Sequence, residues 1–409
     1  MRPRSALGAR YWRIWTAAGV STLGDGMREV AMPLLAATIT RDPALVAAVS
    51  LAGRLPWLVL SLVSGALVDR LDRRRVMGAV DVVRAGIVVA LTVAIAVDAT
   101  SVALLCVVAF ALGTGETLFD NAAQAMMPSV VRRDQLESAN SHLYAVQILS
   151  FEFIGPPIGA LLFATAAELP FIVDGASFAL ASALVLTMTG SYRPVRPPGP
   201  PTRLRAEIVE GLRWLWGHRL LRTLALMLGV WNLLTTAIVS VFVLFALETL
   251  GLSTLGYGLL FTGAAVGSLL GTLAATRIIA RLGHAPALLV AVFTSAISYL
   301  VIALTSSPVL VGVMFGVGGL TGVVWNVITV SLRQSIIPDA LLGRVNSVYR
   351  FLGWGTMPIG AAVGGALAKG FGLRAPFFVS AGVAAVMGVA ALPVVNRRTI
   401  EAARAGSHE

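Results

Sequence analysis

The chain has 409 residues, of which 57% are hydrophobic and only 12% are charged. Soluble domains usually carry about 25% charged residues, and a water-soluble protein of this length could not bury so large an apolar fraction. A bilayer removes that difficulty, because lipid and not water then contacts the outside of the molecule. The composition therefore predicts an integral membrane protein and excludes a soluble globular domain.

The formal net charge of +11 raises the question of a nucleic-acid partner, but the basic residues follow the apolar pattern. Most of them fall on one side of the apolar runs, in the two terminal tails and in the segments 70–75 and 193–222. Only Arg41, Lys369 and Arg374 fall on the other side. This asymmetry predicts a multi-pass protein of the cell membrane with both termini in the cytoplasm. The basic residues then set topology and meet anionic lipid headgroups, and no nucleic-acid partner is expected.

Twelve apolar runs are long enough to cross a bilayer, which takes about 20 residues for a helix. They lack the two-residue alternation of barrel strands, so the sequence predicts an all-α integral membrane protein with twelve transmembrane helices. In chain order these spans lie near 12–38, 43–69, 76–97, 101–127, 138–166, 168–190, 220–248, 254–281, 285–306, 308–333, 341–369 and 372–395.

A long polar connector divides the spans into two groups of six. Residues 191–219 begin with a proline cluster, which is stiff and extended, and continue with apolar residues at helical spacing, which suits an interfacial amphipathic helix. We therefore predict an N-terminal six-helix bundle over 1–190, a cytoplasmic connector over 191–219, a C-terminal six-helix bundle over 220–396 and a cytoplasmic tail over 397–409.

The two halves repeat at a constant offset of 206 residues. Three separated blocks match at this offset: Phe119-Asp120 with Trp325-Asn326, Asn140-Ser141 with Asn346-Ser347, and Gly159-Ala160-Leu161 with Gly365-Ala366-Leu367. Blocks this far apart rarely share one offset by chance. The match places the fourth and fifth spans over the tenth and eleventh in the same orientation, which is a parallel repeat.

A dense basic turn follows the second span. It resembles the cytoplasmic loop motif of the major facilitator superfamily at five positions, which are Gly65, Asp69, Arg70, Arg74 and Arg75. Asp72 stands where the family usually has glycine. The resemblance implies a latch between the halves, with Asp69 near the start of the eleventh span and a loop arginine paired with an acid such as Asp81. The alternative is that these arginines only set topology, which leaves the acid among them unexplained.

Further stretches resemble drug exporters within this superfamily. Gly155, Pro156 and Gly159 in the fifth span resemble an element of drug/proton antiporters. The stretches Leu23-Gly24-Asp25 and Asp81-Val-Val-Arg84 resemble the branch that includes macrolide and siderophore exporters. The resemblance implies the major facilitator fold, with two pseudo-symmetric six-helix bundles. It also implies a bacterial secondary active transporter that exports a lipophilic antibiotic, drug or siderophore by proton-coupled alternating access.

Charged residues inside the spans are the candidate proton-coupling groups, because each costs a few kcal/mol and therefore needs a partner, water or a function. The candidates in the spans of the first half are Asp25, Arg28 and Glu29 in the first, Arg54 in the second, Glu116 and Asp120 in the fourth and Glu152 in the fifth; the sixth span carries a further acid, Asp174. After Glu248 the spans of the second half carry no acid. Our hypothesis is that Glu116 or Asp25 binds the coupling proton. The alternative is that the acids form fixed ion pairs with Arg28 and Arg54.

The candidate contacts to a substrate are aromatic and amide side chains, because a cavity with few polar groups favours a lipophilic cargo. They are Phe119, Trp231, Asn232, Trp325 and Asn326. Tryptophan also anchors helices at the bilayer interface, which is the competing explanation for Trp231 and Trp325.

The sequence has no feature that supports an enzyme. It lacks a phosphate-binding Gly-Lys-Ser/Thr loop, its four histidines have no metal-ligand spacing, and Cys106 is its single cysteine. We therefore expect no metal, no organic cofactor, the proton gradient as the driving force, and a functional monomer that meets a small-molecule substrate and membrane lipid. Two alternatives stay open, which are facilitated uptake of a small metabolite and a transport-inactive membrane sensor.

Overall fold

The computed structural model describes residues 7–60, 64, 71–132, 135–190, 192 and 204–405, and every regular element in these ranges is helical. In chain order the helices are α1 (Ala9–Ile39), α2 (Pro43–Val59), α3 (Arg73–Ala96), α4 (Val102–Met126), α5 (Leu136–Ile148), α6 (Gly155–Thr165), α7 (Leu169–Leu186), α8 (Leu204–Gly217), α9 (Arg219–Leu244), α10 (Thr254–Leu282), α11 (His284–Leu304), α12 (Pro308–Ile336), α13 (Asp339–Trp354), α14 (Met357–Phe371), α15 (Ala375–Ala391) and α16 (Arg397–Ala405).

Nine helical stretches in the described ranges are long and apolar enough to cross a bilayer. Six are the single helices α3, α4, α7, α10, α11 and α12, and three are the longer stretches Ser138–Thr165, Arg219–Thr249 and Leu341–Phe371. The helices α2 and α15 are apolar but shorter, and α1 carries three charges in its middle. The all-helical membrane class is confirmed, because a helix satisfies its backbone hydrogen bonds internally in lipid. The count of twelve crossings stays a prediction.

The first of two compact units comprises Met1–Arg41, Ala52–Pro197 and Ser253–Leu259. In it α1 packs against α6 and α7, while α3 packs against α4 and α7. Its core includes the fully buried Tyr11 and Met77. The Tyr11 hydroxyl donates a hydrogen bond to the carbonyl oxygen of Ala139 at 2.9 Å. These contacts hold α1 at the centre of the unit.

The second unit comprises Asp42–Leu51, Pro198–Leu252 and Leu260–Glu409. Within it α9 packs against α14, and α11 packs against α12 and α15. The first residues of α2 also belong to this unit, where Lys369 Nζ donates to Asp42 Oδ2 at 2.6 Å. That hydrogen bond lowers the pKa of Asp42. The division of α2 between the two units is a feature that the sequence pattern does not predict.

The repeat is visible in the helix boundaries. The first residues of α4 and α12, Val102 and Pro308, differ by the same 206 positions as the sequence blocks. The same offset separates the last residues of α6 and α14, Thr165 and Phe371, and the first residues of α7 and α15. The repeated blocks therefore correspond to repeated helices.

Two of the predicted spans are interrupted close to their prolines. A π-helical turn, Leu149–Ile154, joins α5 to α6 before Gly155-Pro156, and Gly355-Thr356 separates α13 from α14 before Pro358. Prolines and π-turns both remove the regular hydrogen bond of the helix, so each span can bend at this point.

The predicted amphipathic connector helix is present as α8. Its residue Gly211 lies against the backbone of Arg344 on α13, and Arg344 Nη1 donates to Glu210 Oε2 at 2.6 Å. The next helix, α9, is capped by His218, whose ring nitrogen accepts from the backbone N–H of Leu221 at 3.3 Å. Burial lowers the pKa of His218. The predicted C-terminal tail also contains a helix, α16.

Candidate functional site

Five charged side chains of the first unit meet inside the helical bundle. They are Asp25 and Arg28 on α1, Asp81 and Arg84 on α3, and Asp174 on α7, and we call them the charge cluster. Arg28 bonds Asp25 one turn earlier on α1, and its Nε donates to Asp174 Oδ2 at 3.0 Å. The cluster therefore joins three helices through charge-assisted hydrogen bonds, which are stronger than neutral ones.

Close packing of α1 on α7 brings these groups together. A Cβ atom on Gly24 would overlap the side chains of Ser177 and Asp174, and would lie 3.1 Å from Asp174 Cα. Glycine is therefore required at this point of α1, next to Asp25. The missing side chain lets Asp174 approach α1 closely enough to bond Arg28.

Arg84 connects α3 to α1. Its side chain is 1% exposed, and its Nη2 donates to Asp25 Oδ1 at 2.5 Å. The guanidinium carbon lies 3.9 Å from the ring centre of Phe178 on α7, a cation–π contact. Gly115 on α4 makes room for this side chain, since a Cβ there would lie 2.8 Å from Arg84 Cδ.

Asp81 is the least satisfied acid of the charge cluster. It is fully buried, and its nearest cation is Arg84 one turn later, with Nη1 3.5 Å from Asp81 Oδ1. Neither of its carboxylate oxygens accepts a hydrogen bond from the described residues. Asp174 has one such oxygen, Oδ1.

Two further acids lie next to the charge cluster. Glu29 on α1 pairs with Arg54 on α2, whose Nη2 lies 2.5 Å from Glu29 Oε1, and both side chains are about one-third exposed at 34% and 30%. Glu116 on α4 forms no ion pair with a described residue, but it interacts electrostatically with Asp25, Arg28 and Arg54.

The acids of the site outnumber its cations. Within the charge cluster three carboxyl groups meet two guanidinium groups, and Glu116 adds a further acid. Burying an unpaired charge costs several kcal/mol after the protein relaxes. The arrangement is therefore suited to bind a proton or another cation.

A sequence profile for proteins described as transmembrane secretion effectors matches residues 7–409, nearly the whole chain. The chain belongs to this family of the major facilitator superfamily. The multidrug efflux pump Tap of Mycolicibacterium fortuitum is 32% identical over 394 residues, which cover 93% of this chain and 94% of that protein. The Tap protein of Mycobacterium tuberculosis (strain ATCC 25618 / H37Rv) is 28% identical over 402 residues, or 94% and 93% of the two chains.

Shorter and more distant matches agree with this assignment. Macrolide efflux protein A of Streptococcus pyogenes is 26% identical over 154 residues, 38% of each chain. A bacterial homologue of the iron transporter ferroportin superimposes with a TM-score of 0.76 at 16% identity, over 96% of this chain and 100% of that one. The nucleoside transporter NupG gives 0.73 at 11% identity, over 94% and 99%. At these identities the structures establish the fold alone, and the predicted facilitator fold is confirmed.

The family and its relatives are transporters, which supports the prediction that this facilitator is not an enzyme. They also support a membrane protein of bacterial origin.

The predicted cytoplasmic gate motif lies only partly within the described residues. Gly65, Asp69 and Arg70 lie outside the described residues. Arg74 donates to the carbonyl oxygen of Met188. The predicted pairing of Asp81 with a loop arginine stays a prediction, because Arg70 lies outside the described residues. In the described part of the chain Asp81 is buried beside Arg84.

Asp72, which departs from the family pattern, has a defined role. Its carboxylate accepts from the backbone N–H groups of Arg74 at 3.1 Å, Arg75 at 3.3 Å and Tyr192 at 3.2 Å, so it caps the N-terminus of α3. Burial alone would raise the pKa of Asp72, but these three donors lower it below its ordinary value.

The antiporter-like motif packs against α1. A Cβ on Gly155 would lie 2.7 Å from Gly26 Cα, and one on Gly159 would lie 2.7 Å from Met27 Cα. Pro156 lies between them and is buried. The motif therefore brings α6 against the segment of α1 that carries Asp25 and Arg28.

Several other predicted residues do not meet the charge cluster. Asp120 lies on α4 one turn beyond Glu116, and Glu152 is exposed in the π-helical turn. Phe119 and Trp325 were predicted to line a cavity, but they are 4% and 5% exposed and belong to hydrophobic cores.

The remaining cavity candidates lie in the second unit. Trp231 is half-buried with its ring 5.6 Å from that of Trp325, Asn232 donates to the carbonyl oxygen of Gly353 at 2.9 Å, and Asn326 is exposed.

Sequence reasoning missed three partners of the site. Asp174 was noted as an acid within a span but was not assigned to the site, and Phe178 and Gly115 were not considered. The acid four residues before Phe178 was the available signal, since an intramembrane carboxylate implies a partner on a neighbouring helix. Nothing in the pattern identified which helix that was.

Proposed function

We propose that this facilitator exports lipophilic small molecules, including drugs, by alternating access, with inward movement of protons as the driving force. The proposal is supported by the buried charge cluster, in a chain that is 32% identical over most of its length to a protein named a multidrug efflux pump. The proposal includes cytoplasmic termini, transport without an organic cofactor, and a functional monomer.

The observation that carries the proposal is the surplus of acids over arginines at the site. Asp25 accepts hydrogen bonds from Arg28 and Arg84, so its negative charge is compensated by two cations. These two bonds make Asp25 part of ion pairs that join α1 to α3. Of the two candidates from the sequence, Glu116 remains.

Glu116 has the surroundings that a proton carrier needs. It lies within electrostatic reach of Arg28 and Arg54 but is bonded to neither, so it can lose or gain a proton without breaking an ion pair. When it is protonated, the site has one negative charge fewer. When it is ionised, the site attracts a cationic drug or the next proton. A proton and a cationic drug therefore compete for the same carboxylate, and this competition couples the movement of protons to the movement of cargo.

The contacts to the cargo in this proposal are apolar and aromatic. The spans of the second half carry no acid after Glu248, so they offer a cargo no negative charge. The half-buried ring of Trp231 and the exposed amide of Asn326 are the proposed cargo contacts in the second unit. Aromatic and amide contacts of this kind favour lipophilic molecules.

Everted membrane vesicles that contain the chain test the proposal directly. With an acidic lumen, the lipophilic cation ethidium should accumulate inside, and collapse of the pH gradient should release it. Glu116→Gln should lower gradient-driven accumulation by about tenfold or more, because the coupling between proton and cargo is lost.

The matched control is Asp98→Asn, which neutralises an exposed acid outside the site. Asp98 has a positive φ of 54°, a conformation that asparagine also adopts readily. Asp98→Asn should therefore transport like the wild type. Accumulation that needs no pH gradient, or that follows a sodium gradient instead, would contradict the proposal.

A further inference from the structure

Asp81 is the buried acid that the proposed mechanism leaves unused. Its side chain is fully buried on α3, and neither oxygen accepts a hydrogen bond in the described part of the chain. A buried polar group without a partner costs about 1–3 kcal/mol, and more when it is charged. A fully ionised Asp81 is therefore poorly accommodated by this geometry.

The charged groups around Asp81 lie on its own helix and on the helices packed against it. On α3 itself the only cation beside it is Arg84, at 3.5 Å. The helices packed around α3 present Asp25 on α1 and Asp174 on α7, both of which act on Asp81 through their charge, and Glu116 on α4 acts on Asp25. Asp25 and Asp174 thus add negative charge near Asp81, which Arg28 compensates in part through its bonds to both of them.

Arg84 cannot satisfy Asp81 in the arrangement observed. It gives its shorter bond to Asp25, at 2.5 Å, and its guanidinium lies over the ring of Phe178. The contact with Asp81 is an ion pair at 3.5 Å, longer than the one with Asp25. Two acids on different helices therefore share one guanidinium, and only Asp25 holds it closely.

We propose that Asp81 is a second proton-binding site of this transporter, protonated while Arg84 is bonded to Asp25 and ionised when Arg84 turns towards Asp81. The proposal rests on the proton-coupled function above and names a further group of the same site. On deprotonation the proton passes to a water molecule, and the carboxylate that forms takes Arg84 as its partner. Asp25 then keeps Arg28 alone.

This exchange of partners links proton binding to helix contacts. The bond from Arg84 to Asp25 joins α3 to α1, whereas a bond from Arg84 to Asp81 stays within α3. Protonation of Asp81 therefore strengthens the contact between α3 and α1, and loss of the proton weakens it. A residue placed in this way changes helix packing in response to pH without touching the cargo.

Infrared spectroscopy of the full-length chain in lipid vesicles tests the protonation state directly. At neutral pH the wild type should show the carbonyl stretching band of a protonated carboxylic acid, shifted in deuterated water. Asp81→Asn should remove a component of that band, and the control Asp98→Asn should leave it unchanged. An identical acid band in the wild type and in Asp81→Asn would overturn the proposal.

Thermal unfolding and transport give independent readouts. Asn resembles a protonated Asp in size and charge, so Asp81→Asn should melt at the wild-type temperature or above it, while its pH-driven ethidium accumulation falls by about tenfold. Asp81→Glu keeps a proton-binding group and should retain part of that accumulation. A melting temperature of Asp81→Asn well below that of the wild type would show that Asp81 is an ionised partner of Arg84, which would contradict the proposal.

Failure of this inference can be distinguished from failure of the proposed function. If the wild type accumulates ethidium under a pH gradient and Asp81→Asn does so equally well, Asp81 is not a proton site and the exporter remains. If the wild type does not respond to the gradient, proton-coupled export itself fails.

Discussion

Removing the guanidinium of Arg84 is the most informative perturbation of the charge cluster. In Arg84→Met a flexible apolar side chain of similar length replaces it. Among the described residues Asp25 then keeps only Arg28, Asp81 loses the cation beside it, and the ring of Phe178 loses its cation–π partner. The variant therefore removes a side chain that bonds α3 to α1 and contacts Phe178 on α7.

The magnitude follows from these contacts. Breaking a buried ion pair by removing one partner costs about 3–5 kcal/mol. The lower end applies here, because Asp25 keeps Arg28 and because, under the proposal above, Asp81 takes up a proton. The cation–π contact adds up to about 2 kcal/mol, part of which the methionine sulfur recovers against the ring. We expect a loss of about 3–5 kcal/mol, or about 6–20 °C in melting temperature for a unit of this size.

The single cysteine provides the assay. Cys106 is half-buried in α4, so a dye that fluoresces on reaction with thiols reports unfolding of the first unit. The matched control is Arg397→Met, because Arg397 pairs with Glu401 at 2.7 Å but is 87% exposed. That control should melt like the wild type, since surface ion pairs contribute little.

A double variant separates charge from packing. Asp25→Asn combined with Arg84→Met removes both partners of the 2.5 Å bond and should be less destabilised than the sum of the two single variants. If Arg84→Met melts within about 2 °C of the wild type, its free energy of unfolding has fallen by no more than about 1 kcal/mol. The charge cluster would then not be what holds α3 in place.

Two further variants test the packing and the capping around the cluster. Gly24→Ala should destabilise the chain by about 1–3 kcal/mol in the same melting assay, because its Cβ overlaps Asp174. The control is Gly86→Ala on α3, whose Cβ meets nothing within 4 Å. This control should be neutral or stabilising, because alanine favours the helix more than glycine does. Asp72→Ala should lose about 1 kcal/mol of capping energy at neutral pH. The pKa of Asp72 is lowered in the folded chain, so its contribution to folding stability is fully present above the ordinary pKa of 3.8. That contribution is lost as the pH falls through the lowered pKa. The difference in melting temperature between the wild type and Asp72→Ala should therefore shrink in acid.

The sequence alone determined the class of the protein and the order of its helices. Long apolar runs can be stable in lipid only as helices, so hydropathy located the spans without knowledge of their packing. The constant offset of 206 residues predicted which helices correspond, and the boundaries of α4 and α12 agree with it. The absence of acids after Glu248 in the spans of the second half likewise assigned the proposed proton chemistry to the first half.

The tertiary structure decided which charges meet. Asp25, Asp81 and Asp174 are far apart in the sequence, and their approach depends on glycine contacts such as that of Gly24 with α7 and that of Gly115 with Arg84. Helical periodicity identifies the face on which a residue lies, but not the helix that the face contacts. Asp81 was therefore assigned from sequence to a gate, and Phe119 to a cavity, although packing buries both. Ion pairing in a membrane protein depends on neighbours that are close in space and distant along the chain, and only the packed helices specify those neighbours.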